Sequence, residues 1–204
     1  MNQLKDIDTI TYDTMLIIYQ CFNIKHHQLI EYANKTQRLT EFLVKNNAEI
    51  VVPEFIINEI KNKEIRKITN EFIKSKQLAN LPKNPDQAFI LGIEFKVKMK
   101  LSRLQTKEWF TVIIYQPPEK YIDQIYEFFK ELKHHPNVNE FLKLKNRRDT
   151  IPSFEDMAII AFSKEMKIPI ISNDADLTFF SNELCEKGLS DKIFNLSELE
   201  IYNN

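Results

Sequence analysis

Apolar positions along the chain follow two alternating rhythms. Short β-branched runs that stop at Pro, Ser or an acid mark strands buried on both faces. They fall at 10–12, 49–53 (EIVVP), 110–115 (FTVIIY) and 168–172 (IPIIS), with a weaker run at 192–195. Between them, apolar residues recur at helical spacing. That spacing predicts helices over 15–23, 27–46, 55–79, 119–133, 153–166 and 177–187, and a shorter basic helix reaching 146. In the 55–79 segment Ile56, Ile57, Ile60, Ile65, Ile68 and Phe72 fall on or near one face. A last turn is expected at 197–199.

The stretch after Asn84-Pro85-Asp86 carries both rhythms. Phe95, Val97, Met99 and Leu101 alternate with Lys96, Lys98 and Lys100, as in a half-buried strand. Phe89, Ile93, Val97, Leu101 and Leu104 also fit one helical face. Asn84 as a cap with Pro85 in the first position is a helix start, and the length of the run agrees, so a helix is predicted. Strands alternating with helices give an α/β fold: a central parallel sheet of four to five strands flanked by helices on both faces. No repeat, low-complexity tract or linker interrupts residues 1–204, so one domain is expected.

Composition narrows the chemistry. The chain is 43% hydrophobic with 15 Phe, enough for a sizeable core. No apolar run approaches the roughly 20 residues of a membrane span. The start, MNQLKDIDTI, lacks the basic-then-apolar order of a signal peptide. Cys21 and Cys185 sit in apolar helical patterns and read as buried thiols. A cytoplasmic protein is therefore expected. With only Gly92 and Gly188, a Gly-rich phosphate loop is excluded and a nucleotide cofactor is not expected. The pairs His26-His27 and His134-His135 are poor metal clamps, because adjacent helical side chains diverge by about 100°.

Net charge is −1, but its distribution is uneven. Residues 60–148 hold 19 Lys and Arg against 10 Asp and Glu, whereas the remainder holds 9 against 19. A basic middle beside acidic flanks reads either as solvated helices or as a phosphate-binding surface beside an acidic site.

Ligands of open α/β sheets bind beyond the carboxyl ends of the strands. The run at 10–12 ends in Asp13, and the run at 168–172 leads into Asn173, Asp174 and Asp176. Glu59 follows the 49–53 run by about two helical turns, and Asp156 lies in the first turn of the helix entering 168–172. If the first and fourth strands are neighbours, these acids converge. Four clustered carboxylates repel one another, and a divalent cation resolves this. All-oxygen ligation selects Mg²⁺ or Mn²⁺ over zinc. Each residue also has a plain structural role: Asp13, Asp156 and Asp174 can cap helices, and Glu59 can pair with Lys63. The case rests on the joint pattern.

The order of these pieces resembles the PIN-domain ribonucleases. The matching segments are ITYDTMLI at 10–17, IVVPEFIINEI at 50–60, PSFEDMAIIAFSKEMKIPIISNDADL at 152–177 and, more weakly, KIFNLSEL at 192–199. The resemblance implies that Asp13, Glu59, Asp156 and Asp174 form a catalytic quartet binding Mg²⁺ or Mn²⁺, with Asp176 as an additional acid. It implies that Ser172 supports the site, and Asn173 is expected beside it in orienting the carboxylates. It further implies hydrolysis of RNA phosphodiesters, and often a homodimer. The chain is longer than compact family members, mostly through a helical insertion at about 60–108. Lys143, Lys145, Arg147 and Arg148 are candidates to grip flanking RNA phosphates, with Lys96, Lys98, Lys100 and Arg103 as a weaker set. Alternatives are a toxin silenced by an antitoxin protein, or a non-catalytic scaffold for RNA or a protein. The nuclease reading is to be abandoned if the acids are scattered, or if Asp13, Asp156 or Asp174 is tied up elsewhere by a lysine or arginine.

Overall fold

The computed structural model describes residues 4–22, 27–74 and 81–199. Five strands form one sheet: β1 (Thr9–Tyr12), β2 (Glu49–Pro53), β3 (Phe110–Ile113), β4 (Ile170–Ser172) and β5 (Ile193–Asn195). Their order is β3-β2-β1-β4-β5, and every pairing is parallel. The expected α/β architecture is therefore the observed one. From β1 the chain builds outward through β2 and β3, then crosses back to lay β4 on the other side of β1. The crevice where the two halves diverge lies beyond the carboxyl ends of β1 and β4.

The helices are α1 (Thr14–Cys21), α2 (His27–Lys45), α3 (Glu54–Glu59), α4 (Ile65–Lys74), α5 (Gln87–Leu104), α6 (Glu119–Glu131), α7 (Val138–Lys145), α8 (Phe154–Met166), α9 (Ala175–Thr178) and α10 (Ser181–Glu186). A π turn over Ile60–Glu64 joins α3 to α4. Residues 23 and 75–79 of the predicted helices, and His26, lie outside the described residues. Among those residues no helix is long and apolar enough to cross a membrane.

Several boundaries differ from expectation. Asp86, not Asn84, caps α5, accepting the Phe89 N–H at 2.8 Å. Val97, Leu101 and Leu104 are buried while Phe95 and Met99 face solvent, so the helical rhythm prevails over the alternating one. The β3 run stops at Ile113, two residues short of 115, and β4 starts at Ile170, two residues after 168. The helix expected over 177–187 is two, because Phe180 leaves the helical region (φ −110°, ψ 29°). Its ring is buried against Phe141, Phe179 and His135.

One main apolar core runs through both sides of the sheet, with Tyr12, Ile50, Val52, Ile160 and Ile171 among its buried members. Helices α4 and α5 contribute Ile65, Ile68, Phe72, Val97, Leu101 and Leu104 to it. Both thiols are free; Cys21 is buried and Cys185 is half-buried. Tyr12 reaches from β1 to Thr40 on α2 at 3.0 Å. The Thr40 hydroxyl hydrogen goes to Thr36 O, so the Tyr12 phenol donates. Tyr12→Phe should cost about 1 kcal/mol in urea unfolding, since Thr40 keeps its bonds to Thr36 and Gln20.

Candidate active site

The residue after β1 is Asp13. Its extended backbone and a 2.5 Å bond from the Met15 N–H make it the N-cap of α1. The other carboxylate oxygen accepts the hydroxyl of Ser172, the last residue of β4. Ser172 in turn accepts the Asp174 N–H at 2.9 Å. This small network fixes the rims of β1 and β4 to each other. Asp13 is only 5% exposed. Burial pushes its carboxyl up to about 7; the Ser172 hydrogen bond opposes the rise and the charge of Asp174 adds to it.

Asp156 enters from α8. Ser153 caps that helix, accepting the Asp156 N–H at 3.1 Å, while Asp156 accepts the Ser153 N–H at 3.2 Å and its hydroxyl at 2.7 Å. This is the capping box legible in Ser153-Phe154-Glu155-Asp156. Burial also raises Asp156 to about 7, against the Ser153 bond and reinforced by Asp174, Asp176 and Asp13. Glu59 closes α3 just before the π turn and accepts the Thr14 hydroxyl at 2.7 Å. Burial raises its carboxyl too, with the Thr14 bond lowering it. Glu59 does not pair with Lys63; that lysine holds Glu155 at 2.8 Å.

Asp13, Glu59, Asp156 and Asp174 line a single cavity of about 270 Å³ at the β1–β4 crevice. They are not scattered. Asp174 caps α9, accepting the Asp176 N–H at 2.8 Å. All three aspartates thus also perform the helix-starting task that each admits by itself.

Two expectations need correction. Lys145 and Arg147 do not project outward for flanking phosphates. Helix α7 ends at Lys145, and Asn146 takes a left-handed turn (φ 50°, ψ 45°) that brings both cations over the β4 rim. Lys145 Nζ lies 2.6 Å from Asp174 and 2.6 Å from Asp176. Arg147 binds Asp176 directly and donates to Ile151 O at 3.2 Å, with its guanidinium over the Phe141 ring. Asp174 is therefore paired with a lysine, at the cavity rather than away from it. Lys143 and Arg148 remain exposed. The second correction is Asn173. Its amide donates to Tyr19 OH at 3.0 Å rather than to a carboxylate, and its buried Oδ1 has no hydrogen-bond partner among the described residues.

The cavity is also lined by charges outside the acidic quartet. Glu64, Lys67 and Glu155 line it, and Lys63 reaches Glu155 across 92 positions of sequence. No local spacing signals such a pair. The Lys63 ammonium holds the Glu155 carboxyl below its ordinary value.

A hard divalent cation suits the donor chemistry, which is all oxygen, and would relieve the burial of Asp13 and Asp156. The geometry does not suit it. Among the described residues no group of three or more acids, histidines or cysteines is arranged to hold one ion. An ammonium already stands at Asp174. As they stand, these carboxylates do not fit a metal. What they offer by themselves is a buried Asp13 and a half-buried Asp156, both carboxyls raised to about 7, beside an ion-paired cluster.

No protein-family model matches the chain, and no curated protein matches it. Among solved structures it is similar to the crystal structure of VapBC2 from Rickettsia felis bound to a DNA fragment from their promoter. The TM-score is 0.46 and the identity 11%, over 92% of this chain and 98% of that one.

Proposed function

We propose that this chain is a metal-dependent ribonuclease of the PIN-domain kind, hydrolysing RNA phosphodiesters in the cavity beyond β1 and β4. One observation carries the reading. Four acids from distant parts of the sequence, Asp13, Glu59, Asp156 and Asp174, line one cavity at the sheet's switch point. Acids of about 7 at Asp13 and Asp156 support it further, because a base near the working pH is suited to taking a proton from an attacking water. Ser172 orients Asp13, and exposed Lys143 and Arg148 hold flanking phosphates in this reading. Dependence on Mg²⁺ or Mn²⁺ rests on the resemblance and on the donor chemistry. A cytoplasmic location, a homodimer and an antitoxin partner belong to the same proposal, as does the status of 60–108 as an insertion.

A second reading has its own observation. The Lys145 and Arg147 ion pairs are what an acidic fold retained as a non-catalytic scaffold would contain. One assay separates the two. End-labelled single-stranded and hairpin RNAs are incubated with the purified chain in Mg²⁺, in Mn²⁺ and in EDTA. Cleavage that needs the metal and stops with EDTA is expected. RNA binding without metal-stimulated cleavage on any substrate would leave the scaffold.

A further inference from the structure

A second cavity, of about 530 Å³, lies where the last turn of α1 meets α2 and α5. That volume is within the roughly 300–1,000 Å³ of small-ligand sites. Tyr19, Phe22 and Trp109 supply aromatic rings to its lining. Trp109 directly precedes β3, and its carbonyl accepts the Ile50 N–H at 2.8 Å, so the sheet fixes the base of the indole. The indole is half-buried, lies edge-to-face with Phe110 and has no hydrogen-bond partner among the described residues. Asn34, Gln37 and Glu41 of α2 add polar groups, and Glu41 holds the Gln37 amide at 2.9 Å. From α5, Lys100 lines the same cavity. Lys96, Lys100 and Arg103 follow one another by about a turn along α5, and all are exposed. None of the three has a carboxylate partner among the described residues, whereas Lys63, Lys67, Lys130, Lys145 and Lys187 each have one.

Single-stranded nucleic acid is held by this combination of groups: rings stack on bases, amides meet base edges, and cations neutralise phosphates. We propose that the cavity seats one unpaired base of single-stranded RNA against Trp109, with Lys96, Lys100 and Arg103 along α5 holding the phosphates beside it. The inference deepens the nuclease reading and rests on its choice of RNA, but it involves no metal. Charge orients the strand. Glu41 accepts from an exocyclic amine of the base and repels a phosphate, so the phosphates run on the α5 side. A duplex keeps its bases paired inside, so the cavity selects unpaired RNA. The cavity also adjoins the acidic crevice. Tyr19 OH accepts the Asn173 amide at 3.0 Å, and Asn173 stands between Ser172 and Asp174. Asp13 and Phe22 cap opposite ends of α1, about 13 Å apart at about 1.5 Å per residue. A strand seated at Trp109 can therefore continue along α1 to the acids.

Trp109 is the only tryptophan of the chain, so its fluorescence reports on this cavity. The full chain is titrated in EDTA with a mixed-sequence single-stranded oligoribonucleotide, with the same sequence as a duplex, and with free nucleoside monophosphates. The single strand should quench Trp109, and the duplex should leave it nearly unchanged. Fluorescence anisotropy of the labelled strand then gives the affinities of variants whose folding is checked by circular dichroism. Trp109→Ala should bind about tenfold more weakly, the scale of one lost base stack. Lys100→Gln, at an exposed position, should lower the slope of log K against log salt by about 0.7, the value for one phosphate contact on a single strand. Binding without quenching, equal quenching by the duplex, wild-type affinity in a folded Trp109→Ala, or an unchanged salt slope in Lys100→Gln each overturns the inference. Monophosphates that quench as strongly as the strand overturn it in favour of a mononucleotide pocket. No RNA binding at all overturns both the inference and the RNA reading beneath it. Metal-stimulated cleavage with Trp109 unquenched removes the inference alone; quenching without any cleavage in metal removes the nuclease reading alone.

Discussion

Asp13→Asn should fold and should cleave RNA about 10²–10⁴ times more slowly than the wild type, the range for losing a positioned acid or base. The substitution is nearly isosteric. An Asn amide oxygen still accepts the Met15 N–H, and the amide nitrogen can donate to Ser172, whose hydroxyl already accepts the Asp174 N–H. The cap of α1 and the tie between the β1 and β4 rims are therefore retained. What disappears is a basic oxygen at the centre of the crevice, whose carboxyl burial has raised to about 7. Asp123→Asn, an exposed acid on α6 away from the cavity, is the matched control and should leave cleavage unchanged. Initial rates on one labelled RNA, with circular dichroism on each variant, decide the matter. A folded Asp13→Asn protein that cleaves at the wild-type rate removes the cavity from the chemistry.

The sheet and the four cavity acids were legible because each depends on local signals that agree. A β-branched run stopped by Pro53 or by Asp13 states where a strand ends, and strand ends are where an α/β sheet keeps its chemistry. Ser153-Phe154-Glu155-Asp156 announces a helix start and places an acid in its first turn. The same agreement failed at α5, where apolar residues lie on both sides of one helix. Only the packing of Val97 and Leu101 against the core separates a helix from a half-buried strand there.

The ion pairs were not legible, for a different reason. Lys145 and Arg147 read as part of a basic patch, and only the direction of their side chains gives them another role. That direction is set by the left-handed Asn146 and by how α7 lies across α9, neither of which leaves a spacing in the sequence. Lys63 and Glu155 meet because α8 returns past the π turn. Strand topology can be inferred from periodicity; the charge balance of a crevice depends on which distant side chains the topology turns toward it.

That charge balance should be visible in stability. Asp13 and Asp156 titrate near 7 in the folded chain, against an ordinary 3.8 in the unfolded one, so over that interval the folded state holds protons that the unfolded state has lost. The slope of stability with pH then has the sign of unfolded minus folded proton binding, which is negative. The contribution is complete below about pH 4, declines as pH rises, and is lost once pH passes about 7. For Asp13 alone the full loss is roughly 4 kcal/mol, at 1.36 kcal/mol per pKa unit. About half of that falls between pH 5 and 7, since the carboxyl is still half protonated at pH 7, which for a chain of this size lowers the unfolding midpoint by roughly 5–9 °C. The measurement is thermal unfolding in EDTA across pH 5–8 for the wild type, Asp13→Asn and Asp156→Asn. Each variant replaces an acid that must ionise by a neutral group, so each should flatten the decline and exceed the wild type in stability at pH 8. Parallel curves for all three proteins would mean that neither carboxyl is raised, and that the crevice is wetter and better compensated than its burial indicates. A divalent cation that binds the ionised carboxylates should restore the wild type's lost stability above pH 7, by an amount set by its concentration relative to its dissociation constant. Restoration at constant pH by millimolar Mn²⁺, absent in Asp13→Asn, would connect the cost of burying these acids to the ion that offsets it.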